Sequence, residues 1–140
     1  MNDEQIVRIR DSFATLAPRA DAVVAAFYDR LFEENPGVRP LFPDDMTDQK
    51  KHLAAAIGLV VKHAGNLDAI AHTLRDMGAR HVGYGARPEH YGVVRDTLLT
   101  VLGESAGDAW TDTLRDDWAD ALNAVAARML EGAEGASQAA

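Results

Sequence analysis

The chain has 140 residues, the size of a single domain, and 47% of them are hydrophobic, which is enough for a full buried core. The absence of cysteine excludes disulfides, thiolate metal sites and iron–sulfur clusters and suits a reducing cytoplasm. A formal net charge of −8 argues against nucleic acid and anionic membranes as partners. The acidic N-terminus does not resemble a signal peptide, and no apolar run approaches the ~18 residues of a membrane span.

Apolar residues recur at helical spacing in six segments, and no segment alternates with a period of two. The sequence therefore predicts an all-α fold. The first two helices are predicted at residues 3–16 and 19–34, and a short segment rich in turns and proline follows to Phe42. The third helix is predicted at residues 47–64.

The second half of the chain continues this helical pattern. Three more helices are predicted at residues 67–81, 88–102 and 108–131, with a loop at residues 103–107. Gly83 and Gly85 suit the end of the fourth helix, and Pro88 suits the first turn of the fifth. Residues 132–140 are predicted to form a flexible C-terminal tail after a single domain of residues 1–131.

Among the five histidines, His81 has the neighbours that most suggest a metal ligand. It lies one turn after Met77 on the same helical face, and a soft thioether there suits a flat apolar ligand. A neutral imidazole can bind iron through one nitrogen while the other donates to a backbone carbonyl one turn back. An ordinary surface or core histidine is the commoner outcome for such a residue. No histidine has the spacing of a zinc site, and a Ser-His-Asp triad stays open although the chain has no G-x-S-x-G elbow.

A second group of candidates lies in the first third of the chain. Phe42 follows a proline-constrained segment, where a fixed ring can pack either on a planar cofactor or in an ordinary core. Tyr28 lies on the inward side of its helix, and a buried tyrosine hydroxyl needs a hydrogen-bond partner. Gln49 heads an apolar helix face with Leu53, although a position at a helix start also suits a side chain that faces water.

With these residues in place, the chain resembles the globin family, in particular the single-domain bacterial globins and the haem domain of flavohaemoglobins. Three motifs carry the resemblance: residues 27–42 (FYDRLFEENPGVRPLF), residues 49–53 (QKKHL) and residues 78–91 (GARHVGYGARPEHY). The likeness extends over about residues 5–131. It implies the globin fold, a 3-on-3 helical sandwich around a b-type haem.

The resemblance also implies a role for each matched residue. His81 is expected to be the proximal iron ligand, and Tyr28 and Gln49 the distal polar pair, with Leu53 closing the distal pocket. The residues expected to contact haem are Phe42, Leu53, Met77, Tyr84, Tyr91 and Val94. His52 lies three residues after Gln49 and could reach the iron, but a six-coordinate resting state is not favoured.

One position departs from the flavohaemoglobin pattern. In that family, a glutamate late in the last helix polarises the proximal histidine, and the equivalent position here, counted from Trp118, is Ala133. Glu131 and Glu134 lie near it but out of register, so the sequence leaves open whether either contacts the proximal side. An electron-rich proximal histidine is therefore in doubt.

For function, the resemblance implies reversible binding of O₂, NO or CO, for oxygen storage, transport or delivery. The alternative is an enzyme that oxidises nitric oxide to nitrate with an external reductase, since the 140 residues contain no flavin or nicotinamide domain. Gas sensing through a partner protein and a haem-free helical bundle are further alternatives. The expected state is a cytoplasmic monomer or homodimer.

Overall fold

The protein is described by a computed structural model that covers residues 1–139. Over this range the chain is helical and contains no strand, so the all-α prediction is confirmed. The α-helices are α1 (Asp3–Leu16), α2 (Ala20–Glu34), α3 (Thr47–Lys62), α4 (Ala71–Gly83), α5 (Pro88–Ala106) and α6 (Asp112–Ala139). Short 3₁₀ helices lie at Ala17–Arg19, Pro36–Leu41, Leu67–Ile70 and Gly107–Ala109. No helix within this range combines the length and apolar content needed to cross a membrane.

Four predicted helix boundaries are wrong. The fourth helix begins at Ala71 instead of residue 67, because Leu67–Ile70 forms a 3₁₀ helix. The other three boundaries belong to α5 and α6, and a glycine is the reason at the end of each of these two helices. Helix α5 continues through Gly103, where a Cβ would lie 2.8 Å from the indole Nε1 of Trp110, and ends before Gly107, whose φ is +60°. Gly103 is therefore a contact glycine, and the predicted loop at residues 103–107 is helical up to Ala106. The last helix begins at Asp112 instead of residue 108, and the backbone N–H of Leu114 in its first turn donates to the hydroxyl oxygen of Thr111 at 3.0 Å, which caps the helix.

Helix α6 also extends beyond its predicted end. It passes through Gly132 and continues to Ala139, so residues 132–139 of the predicted tail are helical, and Ala140 lies outside the described residues. The division into a domain of residues 1–131 and a tail stays a prediction. Gly83 and Gly85, which were predicted to end the fourth helix, do so in the structure. Helix α4 ends at Gly83, and Gly85 has a φ of +90°, a left-handed conformation that glycine adopts without strain.

The buried side chains form two separate apolar clusters. The larger joins α1, α2, α3, α5 and α6 around Trp118 and Phe27, and we call it the main cluster. The smaller joins α4 and α6 around Leu74, with Ile70 and Met129, and we call it the α4 cluster. A domain of this size usually has one contiguous core. The α4 cluster is a smaller satellite of this core and includes the helix that carries His81.

Helices α4 and α6 cross at very close range because each presents a glycine to the other. A Cβ at Gly78 would overlap the carbonyl oxygen of Met129, and a Cβ at Gly132 would overlap that of Arg75. Ion pairs flank the crossing: Arg75 to Glu131 at 3.0 Å, and Arg128 to Glu131 at 2.7 Å. The position of α4, which carries His81, is thereby fixed by direct backbone contact with α6.

Candidate functional site

His81 lies in the last turn of α4, and its ring is held by the backbone of the preceding turn. Its Nδ1 lies 2.6 Å from the carbonyl oxygen of Met77. Because a carbonyl can only accept, Nδ1 donates and the neutral ring carries its lone pair on Nε2. The ring of Tyr84 packs edge-on against the imidazole, with centroids 5.8 Å apart. This is the orientation and tautomer of an imidazole that binds a metal through Nε2.

The second polar element joins α2 to α3. The side-chain amide of Gln49 donates to the hydroxyl oxygen of Tyr28 at 3.2 Å. Tyr28 is only 4% exposed, so its ring and hydroxyl belong to the interior. Because the hydroxyl oxygen accepts from the amide, the O–H hydrogen of Tyr28 remains free to donate to a third group.

Aromatic rings pack against the ring of Tyr28. The ring of Phe42 lies 5.7 Å from that of Tyr28, at an interplanar angle of 71°. Phe32 lies against both rings, at centroid distances of 5.8 Å from Tyr28 and 5.3 Å from Phe42. The contribution of Phe32 was missed from the sequence, although its spacing of four residues from Tyr28 on one helix was a usable signal.

The predicted haem contacts are distributed between the two apolar clusters. Phe42, Leu53 and Val94 are partly buried against the main cluster, whereas Met77 and Tyr91 are partly buried against the α4 cluster. Tyr84 belongs to neither and is 62% exposed. Within residues 1–139, the hydroxyl of Tyr91 is buried without any hydrogen-bond partner.

The remaining candidates lie away from these groups. Glu131 accepts hydrogen bonds from Arg75 and Arg128, which lower the pKa of its carboxyl group, so it belongs to the α4–α6 ion pairs. Glu134 and His52 are exposed, and Ala133 is partly buried. Tyr91 therefore receives no carboxylate from Glu131, and the departure from the flavohaemoglobin pattern at Ala133 remains.

The two buried tyrosines give a testable pH dependence. Burial raises the pKa of both Tyr28 and Tyr91 above the usual 10.0, with the Gln49 hydrogen bond lowering that of Tyr28 in part. The folded protein therefore holds these protons more tightly than the unfolded chain. Their contribution to the free energy of unfolding is complete below pH 10.0 and is lost as the pH rises through the folded-state pKa values.

We expect urea unfolding between about pH 8 and pH 11 to show this loss of stability, and Tyr28→Phe and Tyr91→Phe each to make the decline shallower. Tyr84→Phe is the matched control, because that ring is largely exposed. An identical slope in all four proteins would contradict the assignment of buried phenols.

These residues fit a flat, mostly apolar group that carries a metal ion. The site offers one neutral imidazole with a free lone pair and, on the other cluster, a buried O–H donor with its orienting amide. Several apolar side chains packed against the two clusters are only partly buried, and a flat apolar group beside them would remove more of their surface from water. Haem has this shape and this need for a single axial histidine.

Comparison with known proteins decides the family. A family model described as Globin matches residues 25–129, most of the chain. The chain belongs to the globin family. The resemblance drawn from the three sequence motifs is confirmed, and membership implies haem as the cofactor of this globin.

Relatives and solved structures agree with this assignment. The globin is 32% identical over 140 residues to the flavohemoprotein of Rhodopirellula baltica, covering 97% of the chain and 34% of the relative. It spans about a third of the length of the flavohemoproteins that it matches. A bacterial globin from Campylobacter jejuni superposes with a TM-score of 0.87 at 24% identity, covering 98% of this chain and 99% of that one, and supports the globin fold.

A second solved structure is an engineered carbene transferase made from a candidate nitric oxide dioxygenase of Rhodothermus marinus. It has a TM-score of 0.84 and 25% identity, with 99% of this chain and 95% of that chain covered. Both structures match almost from end to end, so the helices that carry His81, Tyr28 and Gln49 all fall within the matched globin fold.

Proposed function

We propose that this globin binds haem b through Nε2 of His81 and binds O₂ reversibly beside Tyr28 and Gln49. The observation that carries the proposal is the partly buried hydrogen bond from the Gln49 amide to the Tyr28 hydroxyl, which leaves the phenolic O–H free to donate. When bound, haem supplies a ferrous iron that takes up diatomic gases such as O₂, NO and CO.

On the proximal side, the chain orients a single ligand. The Met77 carbonyl accepts from Nδ1 of His81 at 2.6 Å, which fixes both the tautomer and the direction of Nε2. A carbonyl is a neutral acceptor, so it gives the imidazole less anionic character than a carboxylate would. This arrangement favours stable gas binding over chemistry that needs an electron-rich histidine.

On the distal side, the chain supplies hydrogen-bond donors at a partly buried site. The Gln49 amide donates to the Tyr28 oxygen, and the rings of Phe32 and Phe42 pack against the Tyr28 ring. A donor held in a buried, low-dielectric site interacts strongly with a ligand that carries partial negative charge. O₂ bound to ferrous iron is such a ligand, whereas CO carries less charge.

Replacement of Tyr28 by Phe is expected to raise the O₂ dissociation rate about ten- to a hundredfold, because a hydrogen bond to a charged group contributes about 1.5–3 kcal/mol. The CO dissociation rate is expected to change much less. Stopped-flow displacement of each gas measures both rates. An unchanged O₂ rate in Tyr28→Phe would exclude Tyr28 as the donor.

Nitric oxide dioxygenation is the second candidate, and the relation to the R. marinus protein favours it. The reaction joins NO and O₂ to form nitrate and needs one electron per cycle, which a reductase would supply. Mixing the O₂-saturated protein with NO, and then adding a reducing system, separates the two functions. Repeated rapid turnover supports the enzyme, and a single slow reaction supports a binding protein.

The cofactor itself has a simpler test. The absorption spectrum of the purified protein, ferric and ferrous and with and without CO, should show a Soret band that shifts with each state. A spectrum without that band would overturn the proposed function, in favour of a haem-free helical bundle. A cytoplasmic location and a monomeric or homodimeric state remain part of the proposal.

A further inference from the structure

Arg39 makes an unusual set of contacts beside the distal site. Its guanidinium donates to the carbonyl oxygens of three consecutive residues: Phe42 at 3.2 Å, Pro43 at 3.0 Å and Asp44 at 3.3 Å. Its Cζ lies 4.9 Å from the centroid of the Phe32 ring, a cation–π contact. The side chain is partly buried, and neither the motifs nor the histidine pattern singled it out.

The three carbonyls belong to a segment with little backbone bonding of its own. Residues 42–46 connect the 3₁₀ helix at Pro36–Leu41 to α3 and adopt no helix. The Phe42 amide donates to the Arg39 carbonyl at 3.1 Å, and the next backbone bond links Lys50 to Met46 at 2.9 Å. The guanidinium of Arg39 therefore holds the part of the segment that lies between these bonds.

The same guanidinium is linked to the Tyr28 ring through two aromatic contacts. Arg39 lies on Phe32, Phe32 packs against Phe42 at 5.3 Å, and both phenylalanine rings pack against Tyr28. A shift of Arg39 would free the Phe42 backbone and loosen the ring that supports Tyr28. Tyr28 is therefore held by Gln49 at its hydroxyl and by this stack at its ring.

We propose that Arg39 is a positioning residue for the distal pocket: it fixes the Phe42 segment and, through Phe32, the direction of the Tyr28 hydroxyl. The inference rests on the proposed function and deepens it. A planar guanidinium can donate to several carbonyls while it stacks on an aromatic ring. A lysine ammonium keeps the charge but lacks the planar fork, so this exchange removes the function and keeps the charge.

The test compares Arg39→Lys with Arg19→Lys. Arg19 is a matched control, because its guanidinium donates to the Ser105 carbonyl at 3.2 Å on the surface. We expect Arg39→Lys to raise the O₂ dissociation rate about three- to tenfold, part of the effect of losing one charged hydrogen bond. The CO rate should stay near that of the wild type. Limited proteolysis should cut residues 42–46 faster in Arg39→Lys alone.

A double-mutant comparison separates this inference from the proposed function. If Arg39 acts through Tyr28, adding Arg39→Lys to Tyr28→Phe should not change the O₂ dissociation rate any further. One result would overturn the positioning role and leave the proposed function intact. In that result, Tyr28→Phe raises the O₂ dissociation rate as expected, whereas Arg39→Lys changes neither the gas dissociation rates nor the rate of proteolysis. An unchanged O₂ rate in Tyr28→Phe would overturn the donor role itself, and proteolysis of Arg39→Lys would still test whether Arg39 holds the segment.

Thermal unfolding of each variant shows whether it folds. Should Arg39→Lys fail to fold, Phe32→Leu breaks the same link between the guanidinium and the Phe42 and Tyr28 rings while it keeps an apolar side chain. Phe32→Leu should raise the O₂ dissociation rate and leave the CO dissociation rate nearly unchanged. An unchanged O₂ dissociation rate in this variant, once it is shown to fold, would also overturn the proposal.

Discussion

Replacement of His81 by Ala is expected to weaken haem binding by at least about a hundredfold, beyond the 10–100-fold loss typical of changes to groups that only orient a metal ligand. The Nδ1–Met77 bond leaves Nε2 as the nitrogen with a free lone pair, and alanine offers no replacement. Added imidazole should restore much of the Soret band by entering the space left by the side chain. Haem transfer to an acceptor apoprotein and the absorption spectrum measure both effects.

His72→Ala is the matched control for this experiment. It lies on the same helix, but its side chain is 90% exposed and pairs with Asp76 at 3.3 Å. Both changes remove an imidazole and introduce the same helix-favouring residue, so they differ only in the site. If His81→Ala kept the wild-type spectrum and haem retention, another histidine would be the ligand and the proposed function would need a different iron site.

The site residues could be predicted from sequence where their signal was local. Tyr28 and Gln49 are polar residues on apolar helix faces, and such residues need partners in any buried arrangement. His81 follows Met77 by one turn, so its bond to a carbonyl of that turn follows from helix geometry. The prediction that His81 lies opposite Tyr28 and Gln49 in one site could not be made from any of them alone. It depended on the three motifs taken together, that is, on the resemblance to a known fold.

The contacts that sequence reasoning missed are those between distant elements. Arg39 carries no local pattern, because its contact with Phe32 arises only when the segment after Pro36 folds back onto α2. The role of a glycine in a helical segment was similarly ambiguous from the sequence. Gly103 and Gly132 read as helix ends, yet both lie inside helices where another element approaches too closely for a side chain. Local sequence cannot distinguish a glycine that ends a helix from one that permits such contact.

Helical register explains the outcome at Glu131. Each residue turns an α-helix by about 100°, so a shift of two residues from Ala133 moves the side chain about 200° around the axis. Glu131 accordingly meets Arg75 and Arg128, and Tyr91 keeps a buried hydroxyl without a partner. Within residues 1–139, Nδ1 of His81 meets the Met77 carbonyl, a neutral acceptor, and this is the reason why we propose gas binding ahead of repeated oxidation of nitric oxide.

Gly78→Ala is expected to lower the free energy of unfolding by about 3 kcal/mol, the upper part of the range for overpacking. The new methyl group would overlap the Met129 carbonyl, and neither backbone can move without separating α4 from α6. The helix-propensity gain of about 1 kcal/mol for Ala over Gly is too small to offset this. Urea unfolding measures the change.

Gly58→Ala is the matched control, since it lies inside α3 with nothing within 4 Å of the new Cβ. It should be neutral or should stabilise the protein by up to about 1 kcal/mol. Because His81 lies three residues after Gly78, separation of α4 from α6 should also displace the imidazole and speed haem loss. Equal stability and haem retention in the two variants would mean that the glycine crossing does not set the position of α4. If Gly78→Ala alone lost stability and haem, the glycine crossing would be what holds the helix that carries His81 in place.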